Sequence, residues 1–523
     1  MATWIFGTDG KDRLVGTSAS EIIWAKADDD VLLGSNGNDT LNGGEGTDTV
    51  SYERTGPVTV TLGSGGSAGT ASKRFGGDGD LAITYTDTLS SIENVIGSSH
   101  NDTITGNELD NVLAGLGGAD TIRGGIGNDT IDYGASREAV TVDLRGVTQR
   151  GGDAQGDKLY TIENVIGSAK ADSITGNDKA NILRGGGGND TLAGFEGADT
   201  LDGGEGIDTA DYSYTPRTGY FTGVTVNLTT GTASGASNLA SGAGGLADGD
   251  SLVSIENVIG TGRGDRLTGN EKGNVLDGGL GQMDDILAGL GGADTLIGRE
   301  GLRDIADYLA SPERVSINLE TNLNRFGHAE GDKFDGIEGV RGSTYGDEII
   351  GDRNWNTLLG EDGNDVLVAG GNRDTVAGGR GQDRLDGGEG ADQLVGGPVQ
   401  ILGTNIIDIA FELNQYDGET DVFVYNSVLD SRAADGEYDT IFLFEKGIDK
   451  VDLRAIDANV VANGDQAFEV VSTFTGQAGE LVIVAGLGGT AGLGADVDGD
   501  AQPDFVIFFD LPSAQPTAND LLL

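Results

Sequence analysis

The stretch GSNGNDTLNGGEGTDTV, Gly34 to Val50, states one nine-residue phrase twice. Asp39 is followed two residues later by Leu41, and Asp48 by Val50, inside a frame of Gly34, Gly37, Gly43, Gly44 and Gly46. Glycine allows positive φ and close backbone approach, so the frame predicts a tight turn. The last three residues of each copy suit a short strand with one aliphatic side chain pointing inward. Stacked copies would form two parallel sheets around a thin aliphatic core. They would also align the aspartates, and that column of carboxylates needs a counter-charge.

The phrase recurs in five phased runs. The acidic position falls at Asp12, Glu21, Asp30, Asp39 and Asp48, with Leu14, Ile23, Leu32, Leu41 and Val50 two residues on. The second run is Asp102, Asn111, Asp120, Asp129; the third is Asp172, Asn181, Asp190, Asp199, Asp208. The fourth is Asp265, Asn274, Asp285, Asp294, with a slip of two residues near Gln282 and Met283. The fifth is Asp347, Asn356, Asp365, Asp374, Asp383, Asp392. The second position of each run is Asn, or Glu in the first, so these turns are expected to bind metal weakly or not at all.

The segments between runs repeat as well. Each starts near a tyrosine (Tyr52, Tyr133, Tyr212, Tyr308) and carries an alternating stretch: VTVTL 58–62, VTVDL 140–144, VTVNL 224–228, VSINL 315–319. That alternation, with β-branched residues, predicts strands. Each segment closes on Asp-x-Leu/Phe-x-x-Ile-Glu, at Asp87–Glu93, Asp157–Glu163, Asp250–Glu256 and Asp332–Glu338. Ile92, Ile162, Ile255 and Ile337 therefore mark a superrepeat enclosing the smaller one.

Composition narrows the partners. The 523 residues hold 93 Gly, 6% aromatics and no Cys, and 85 acidic against 32 basic residues give a net charge of −53. Such a chain stays expanded until something neutralises it, because it buries too little apolar surface to offset its entropy. Nucleic acid is excluded as a partner, since phosphates need clustered Lys and Arg. Anionic membrane surfaces are disfavoured for the same reason, and membrane insertion is not expected: FVIFF, Phe505–Phe509, is far too short to span a bilayer. MATWIFGTDGKDRLV has no apolar core after a basic segment, so a cleavable signal peptide is not expected at the N-terminus. Calcium suits the carboxylate column, because it takes six to eight oxygen ligands, backbone carbonyls included. Zinc would want His or Cys, and His100 and His328 are the only histidines.

With consensus G-G-x-G-x-D-x-U-x, where U is aliphatic, the runs resemble the RTX (repeats-in-toxin) family of secreted calcium-binding proteins. The resemblance implies an all-β fold: right-handed parallel β-roll or β-solenoid segments, two nonapeptides per turn, with calcium held between turns. It covers roughly residues 7–397, with runs at about 7–51, 97–132, 167–211, 260–306 and 342–397 separated by β insertions. The expected calcium ligands are the aspartates of the five runs, Glu21 and the asparagines excepted.

After Pro398 the aromatic and β-branched content rises, as in TDVFVYNSVLDSR (420–432), YDTIFLFEKGIDKVDLRAID (438–457) and QAGELVIV (477–484). These lines resemble the β-rich C-terminal domain of serralysin-type proteases and other type I secreted proteins, and 398–523 is expected to cap the roll. DVDGDAQPDF (496–505) gathers Asp496, Asp498, Asp500 and Asp504 around Gly499. It resembles the start of an EF-hand loop without the full spacing or terminal Glu, and it is either a further calcium site or a solvated acidic turn. The closing NDLLL is similar to the family's export signal. The resemblance thus implies a Gram-negative bacterium and the type I secretion apparatus as partner.

No HExxH accompanies the serralysin-like region. Gly65-Gly-Ser67-Ala-Gly69 fits G-x-S-x-G, but a nucleophile elbow needs a helix after it and none is predicted. An extracellular calcium-binding structural protein is expected, in a surface-layer, matrix or adhesive role with self or polysaccharide as partner. A carboxylate-based polysaccharide enzyme and a soluble glycan-binding effector are the alternatives.

Overall fold

A computed structural model describes residues 3–75, 83–214, 223–235, 247–301, 303–402, 408–410, 416–433, 437–462, 465–487 and 490–523. The Gly-rich stretches at 76–82 and 236–246 lie outside the described residues. Strands and a few 3-10 turns make up the regular structure, and the described residues contain no α-helix. The fold is an all-β parallel roll. The chain divides into two compact units, Met1–Tyr220 with Thr230–Val258, and Phe221–Thr229 with Ile259–Leu523.

In the first unit the opening run forms two parallel stacks. Thr3–Phe6, Glu21–Ala27 and Thr40–Glu45 pair in one sheet, with Ile5 beside Ile23 and Ile23 beside Leu41. Arg13–Val15, Val31–Leu33 and Thr49–Ser51 pair in the other, with Leu14 beside Leu32 and Leu32 beside Val50. Partners sit eighteen residues apart, two nonapeptides per turn, because each nonapeptide supplies one strand to one sheet. The aliphatic position faces inward as the pattern requires: Ile23, Leu32, Leu41 and Val50 are all fully buried. The second and third runs repeat this with Ile104, Leu113, Ile122, Ile131, Ile174, Leu183, Leu192 and Leu201.

The segments between runs are stitched into the same sheets rather than set apart from them. In the first, Val58–Thr61, Gly69–Phe75 and Ile83–Ser90 form an antiparallel meander. Its outer strands rejoin the roll in parallel: Ile83–Ser90 pairs with Thr40–Glu45, and Val58–Thr61 with Thr103–Thr105. The second keeps the plan in shorter form. Bridges of Thr141 to Arg150 and Thr148 to Lys158 replace the middle strand. Lys158–Tyr160 rejoins Thr121–Arg123, and Thr141–Asp143 rejoins Ser173–Thr175. Each predicted alternating strand is thus a strand of the roll.

The second unit continues in kind through the fourth and fifth runs. Parallel pairing then passes residue 398. Val422–Val424 pairs with Arg384–Gly390 and with Lys450–Asp452. Asp439–Phe442 joins Gln393–Val395. Leu521–Leu522 closes the stack on Lys450–Asp452. The aromatic enrichment serves a thicker core: Phe423, Tyr425, Phe444, Phe505 and Phe509 are buried, with Phe444 and Phe509 edge to face at 5.1 Å. Glu480–Leu487, Thr490–Asp496 and Phe505–Phe509 add an antiparallel sheet.

Glycine permits the turns to stack. Gly381 holds φ 132°, and a Cβ there would stand 1.4 Å from the Gly363 carbonyl oxygen one turn away. Gly10 has nothing within 4 Å of such a Cβ. Gly381→Ala should therefore destabilise the folded protein by about 1–3 kcal/mol through the backbone alone, and by more through the clash. Gly10→Ala should change it by less than about 0.5 kcal/mol. Chemical denaturation in calcium checks both; equal midpoints would refute this account of the turn.

Candidate metal centre

The aspartates meet in ladders. The backbone N–H of one acidic residue donates to the carboxylate of the acidic residue one turn on: Asp12 to Asp30 at 2.7 Å, Asp30 to Asp48 at 2.9 Å, Asp102 to Asp120 at 2.7 Å, Asp172 to Asp190 at 2.7 Å. The fifth run follows with Asp347 to Asp365, Asp365 to Asp383 and Asp374 to Asp392. The slip in the fourth run leaves the ladder intact: Asp265 N–H reaches Asp285 Oδ1 at 2.7 Å across twenty residues. The extra residues are absorbed in the turn.

One carboxylate oxygen is used in this way, and the second sorts the run aspartates, Asp39 and Asp285 apart, into two groups. At the head of each run it is satisfied by the protein. Ser98 donates its backbone N–H and its hydroxyl to Asp102. Ser168 does the same for Asp172, Thr261 for Asp265, Ser343 for Asp347 and Thr8 for Asp12. The second positions are satisfied similarly: Asn111, Asn181, Asn274 and Asn356 accept from the backbone N–H four residues earlier, and Glu21 from Thr17. In the other group the second oxygen is buried and meets no donor. These are Oδ2 of Asp30, Asp48, Asp120, Asp129, Asp190, Asp199, Asp208, Asp294, Asp365, Asp374, Asp383 and Asp392. A buried carboxylate oxygen without a partner is costly unless a cation meets it.

The surroundings fit a hard cation. Beside Gly360, a Cβ would stand 2.3 Å from Asp365 Oδ2 and 2.4 Å from the Gly378 carbonyl oxygen. Beside Gly185 the same holds for Asp190 Oδ2 at 2.2 Å and the Gly203 carbonyl at 2.6 Å. The first glycine of the phrase thus keeps open a space lined by carboxylate and carbonyl oxygens, the donor set calcium prefers.

The ladders also contain acids outside the phased runs. Asp39 N–H donates to Asp87, Asp120 to Asp157, Asp199 to Asp250 and Asp294 to Asp332. Asp48, Asp129 and Asp208 donate to Glu93, Glu163 and Glu256. In the second unit Asp285 donates to Asp304, Asp304 to Glu338, Asp383 to Asp421, Asp392 to Asp439 and Asp421 to Asp449. The signal for nearly all was an acid with an apolar residue two places on, as in Asp87–Leu89, Asp157–Leu159 and Asp421–Phe423, standing without its glycine frame.

In the C-terminal loop, Asp496, Asp498 and Asp504 bring ligand oxygens within 4.8 Å of one another. Asp500 is not in that cluster and accepts from Gln502 N–H at 2.7 Å on the exposed side. Asp496 already accepts from Gly499 and Ala501 N–H. His100 is exposed, beside Ser99, and His328 lies in a 3-10 turn. Ser67 sits in a turn, its N–H bonded to the Ser64 carbonyl, and the strand Gly69–Phe75 follows where a nucleophile elbow has a helix.

The regular ladder and its unpartnered oxygens agree with the family comparisons. The Peptidase M10 serralysin C-terminal family matches residues 199–522. The RTX calcium-binding nonapeptide repeat matches 15–50, 96–131 and 175–210. The chain belongs to the serralysin C-terminal family. As a member carrying RTX repeats, it is a secreted, extracellular protein that binds multiple calcium ions. The serralysin match is to the part of those proteins without the protease catalytic domain. No curated protein matches the chain.

Without the cation, burial pushes these acids upward, helped by neighbouring carboxylates at all but Asp199: Asp190 and Asp199 to about 6, Asp294 and Asp383 to about 7, Asp120 and Asp365 to about 8. The ion-free fold therefore binds more protons than the unfolded chain, whose aspartates titrate near 4. Its stability is greatest below about pH 4 and falls as pH rises through the raised values. Calcium-free protein should gain β-type circular dichroism as pH is lowered from about 8 to about 5. The calcium-loaded form, its carboxylates held ionised, should keep its stability over that window. A calcium-free signal that ignores pH would contradict the ladder electrostatics.

Proposed function

We propose that this chain is a calcium-gated structural component of the bacterial exterior, folding only after export and assembling into a surface-layer, matrix or adhesive material. The row of buried aspartate oxygens without donors carries the reading. An acidic roll with so many uncompensated carboxylates is unfavourable where calcium is scarce, which keeps the chain threadable through a type I channel. Outside, millimolar calcium fills sites of affinity about 10⁻⁴–10⁻³ M, as in other extracellular modules. Each filled site supports the next turn, so folding propagates between neighbours.

The ligands assigned to calcium are the run aspartates whose Oδ2 lacks a donor. Asp12, Asp102, Asp172, Asp265 and Asp347 instead cap the turns that open each run, using the hydroxyl and amide four residues earlier. Asp496, Asp498 and Asp504 form a separate site in the C-terminal loop. Removal of calcium by a chelator should abolish β-type circular dichroism at neutral pH, and electron microscopy should show arrays or filaments only with calcium. A strongly β-structured calcium-free protein at neutral pH would refute the gating, and dispersed single particles at every calcium level would refute the assembly.

A second reading, recognition of an acidic glycan, draws on one groove in the second unit. It measures about 320 Å³ and is lined by Trp355, Arg373, Asp374, Thr375, Gln393 and Arg303, the last paired with Asp284 at 3.2 Å. Trp355 is 58% exposed and Arg373 is exposed. An indole face beside the exposed Arg373 guanidinium suits a sugar carrying carboxylate. A short oligogalacturonate should quench tryptophan fluorescence in calcium, a neutral oligosaccharide should not, and Trp355→Ala should remove the response. Equal responses to both sugars, or none, would sink this reading.

A further inference from the structure

One lysine is buried in the ladders. Lys73 lies on Gly69–Phe75, the middle strand of the first meander, and is fully inaccessible. Its ammonium donates to Asp39 Oδ2 at 3.0 Å and to both oxygens of Asp87, Oδ1 at 2.6 Å. Its nitrogen stands 5.9 Å from the centre of the Tyr52 ring.

The superrepeat supplies internal controls. In all four copies a buried tyrosine donates its hydroxyl to the closing aspartate: Tyr52 to Asp87 at 3.1 Å, Tyr133 to Asp157 at 2.9 Å, Tyr212 to Asp250 at 3.0 Å and Tyr308 to Asp332 at 2.7 Å. In all four that aspartate accepts the backbone N–H of a run aspartate, in order Asp39, Asp120, Asp199 and Asp294. The difference lies in the run aspartate's second oxygen. It meets no donor in Asp120, Asp199 and Asp294. In Asp39 it holds Lys73 and the Ser35 hydroxyl.

From this we infer that the ammonium of Lys73 occupies, at the Asp39–Asp87 rung, the place calcium takes at the equivalent rungs, so that this rung binds no calcium and is closed by the chain itself. A buried ammonium is tolerated only when paired and hydrogen-bonded, and two carboxylates supply both conditions. The same pairing uses up the oxygen lone pairs a cation would need. A positive charge 3.0 Å from Asp39 also repels a divalent ion from that oxygen. Because the lysine belongs to the meander strand beside the one that carries Asp87, this rung's counter-charge is present before any calcium arrives.

The inference rests on the calcium reading of the ladders, and counting bound ions on the full chain separates the two. Equilibrium dialysis with calcium alone should show that Asp120→Asn binds one ion fewer than the parent, while Asp39→Asn binds the same number. Lys73→Met, which frees the rung, should bind one ion more. Loss of an ion in Asp39→Asn, or an unchanged count in a Lys73→Met protein that reaches the parent's circular dichroism in calcium, would overturn the assignment. An unchanged count in Asp120→Asn would overturn the ladder reading beneath it. If Lys73→Met does not fold, the Asp39→Asn and Asp120→Asn pair decides.

Discussion

A backbone amide of one turn donating to the carboxylate of the next sets the geometry on which the roll depends. It fixes where each aspartate stands, buries it, and consumes one of its two oxygens. What becomes of the other oxygen decides the chemistry of the rung. Where a serine or threonine four residues earlier offers its hydroxyl and amide, the aspartate closes a turn. Where no donor arrives, the rung awaits a cation. Where Lys73 arrives, the rung carries its own. The sheets, the thin core and the glycine-framed turns keep this one contact repeating.

Much of that was legible in the sequence. The alternation of Asp39 with Leu41 and Asp48 with Val50 located both the ladder and the core, and the structure buries Leu41 and Val50 completely. The difference between capping and open aspartates was also written locally, in Ser98, Ser168, Thr261 and Ser343 ahead of Asp102, Asp172, Asp265 and Asp347, but it takes coordinates to see that those hydroxyls point back. The closing acids were harder. Asp87 and Glu93 look like the end of an insertion, because the glycine frame that flags the phrase is missing from them. Only the sheet pairing shows that they re-enter the roll. Lys73 gave no local signal at all. Its burial follows from a meander folding back across residues distant in sequence.

The core explains why the charge balance matters so much. Along the runs each strand contributes a single inward aliphatic residue, so little apolar burial is available per turn to offset chain entropy. An ordinary globular domain tolerates a poorly matched polar group because its core carries a surplus. Here each turn has little surplus, and electrostatic neutralisation makes the difference between a stacked turn and an open one. Past residue 398 the aromatic side chains enlarge the core, and the last strands lean less on the ladder for their cohesion.

The intervals along the ladder differ in a telling way. The amide-to-carboxylate contact spans 18 residues within a run, 20 at the slip, 37 from Asp120 to Asp157, 48 from Asp39 to Asp87 and 51 from Asp199 to Asp250. The bond at the end is the same in every case. The roll therefore counts rungs and is indifferent to the length of chain between them, provided the chain leaves and returns at a turn. Such a scaffold lengthens by whole rungs and diversifies by loops, two changes that do not interfere with each other. A lineage can alter what the protein displays to its surroundings without touching the part that makes it fold.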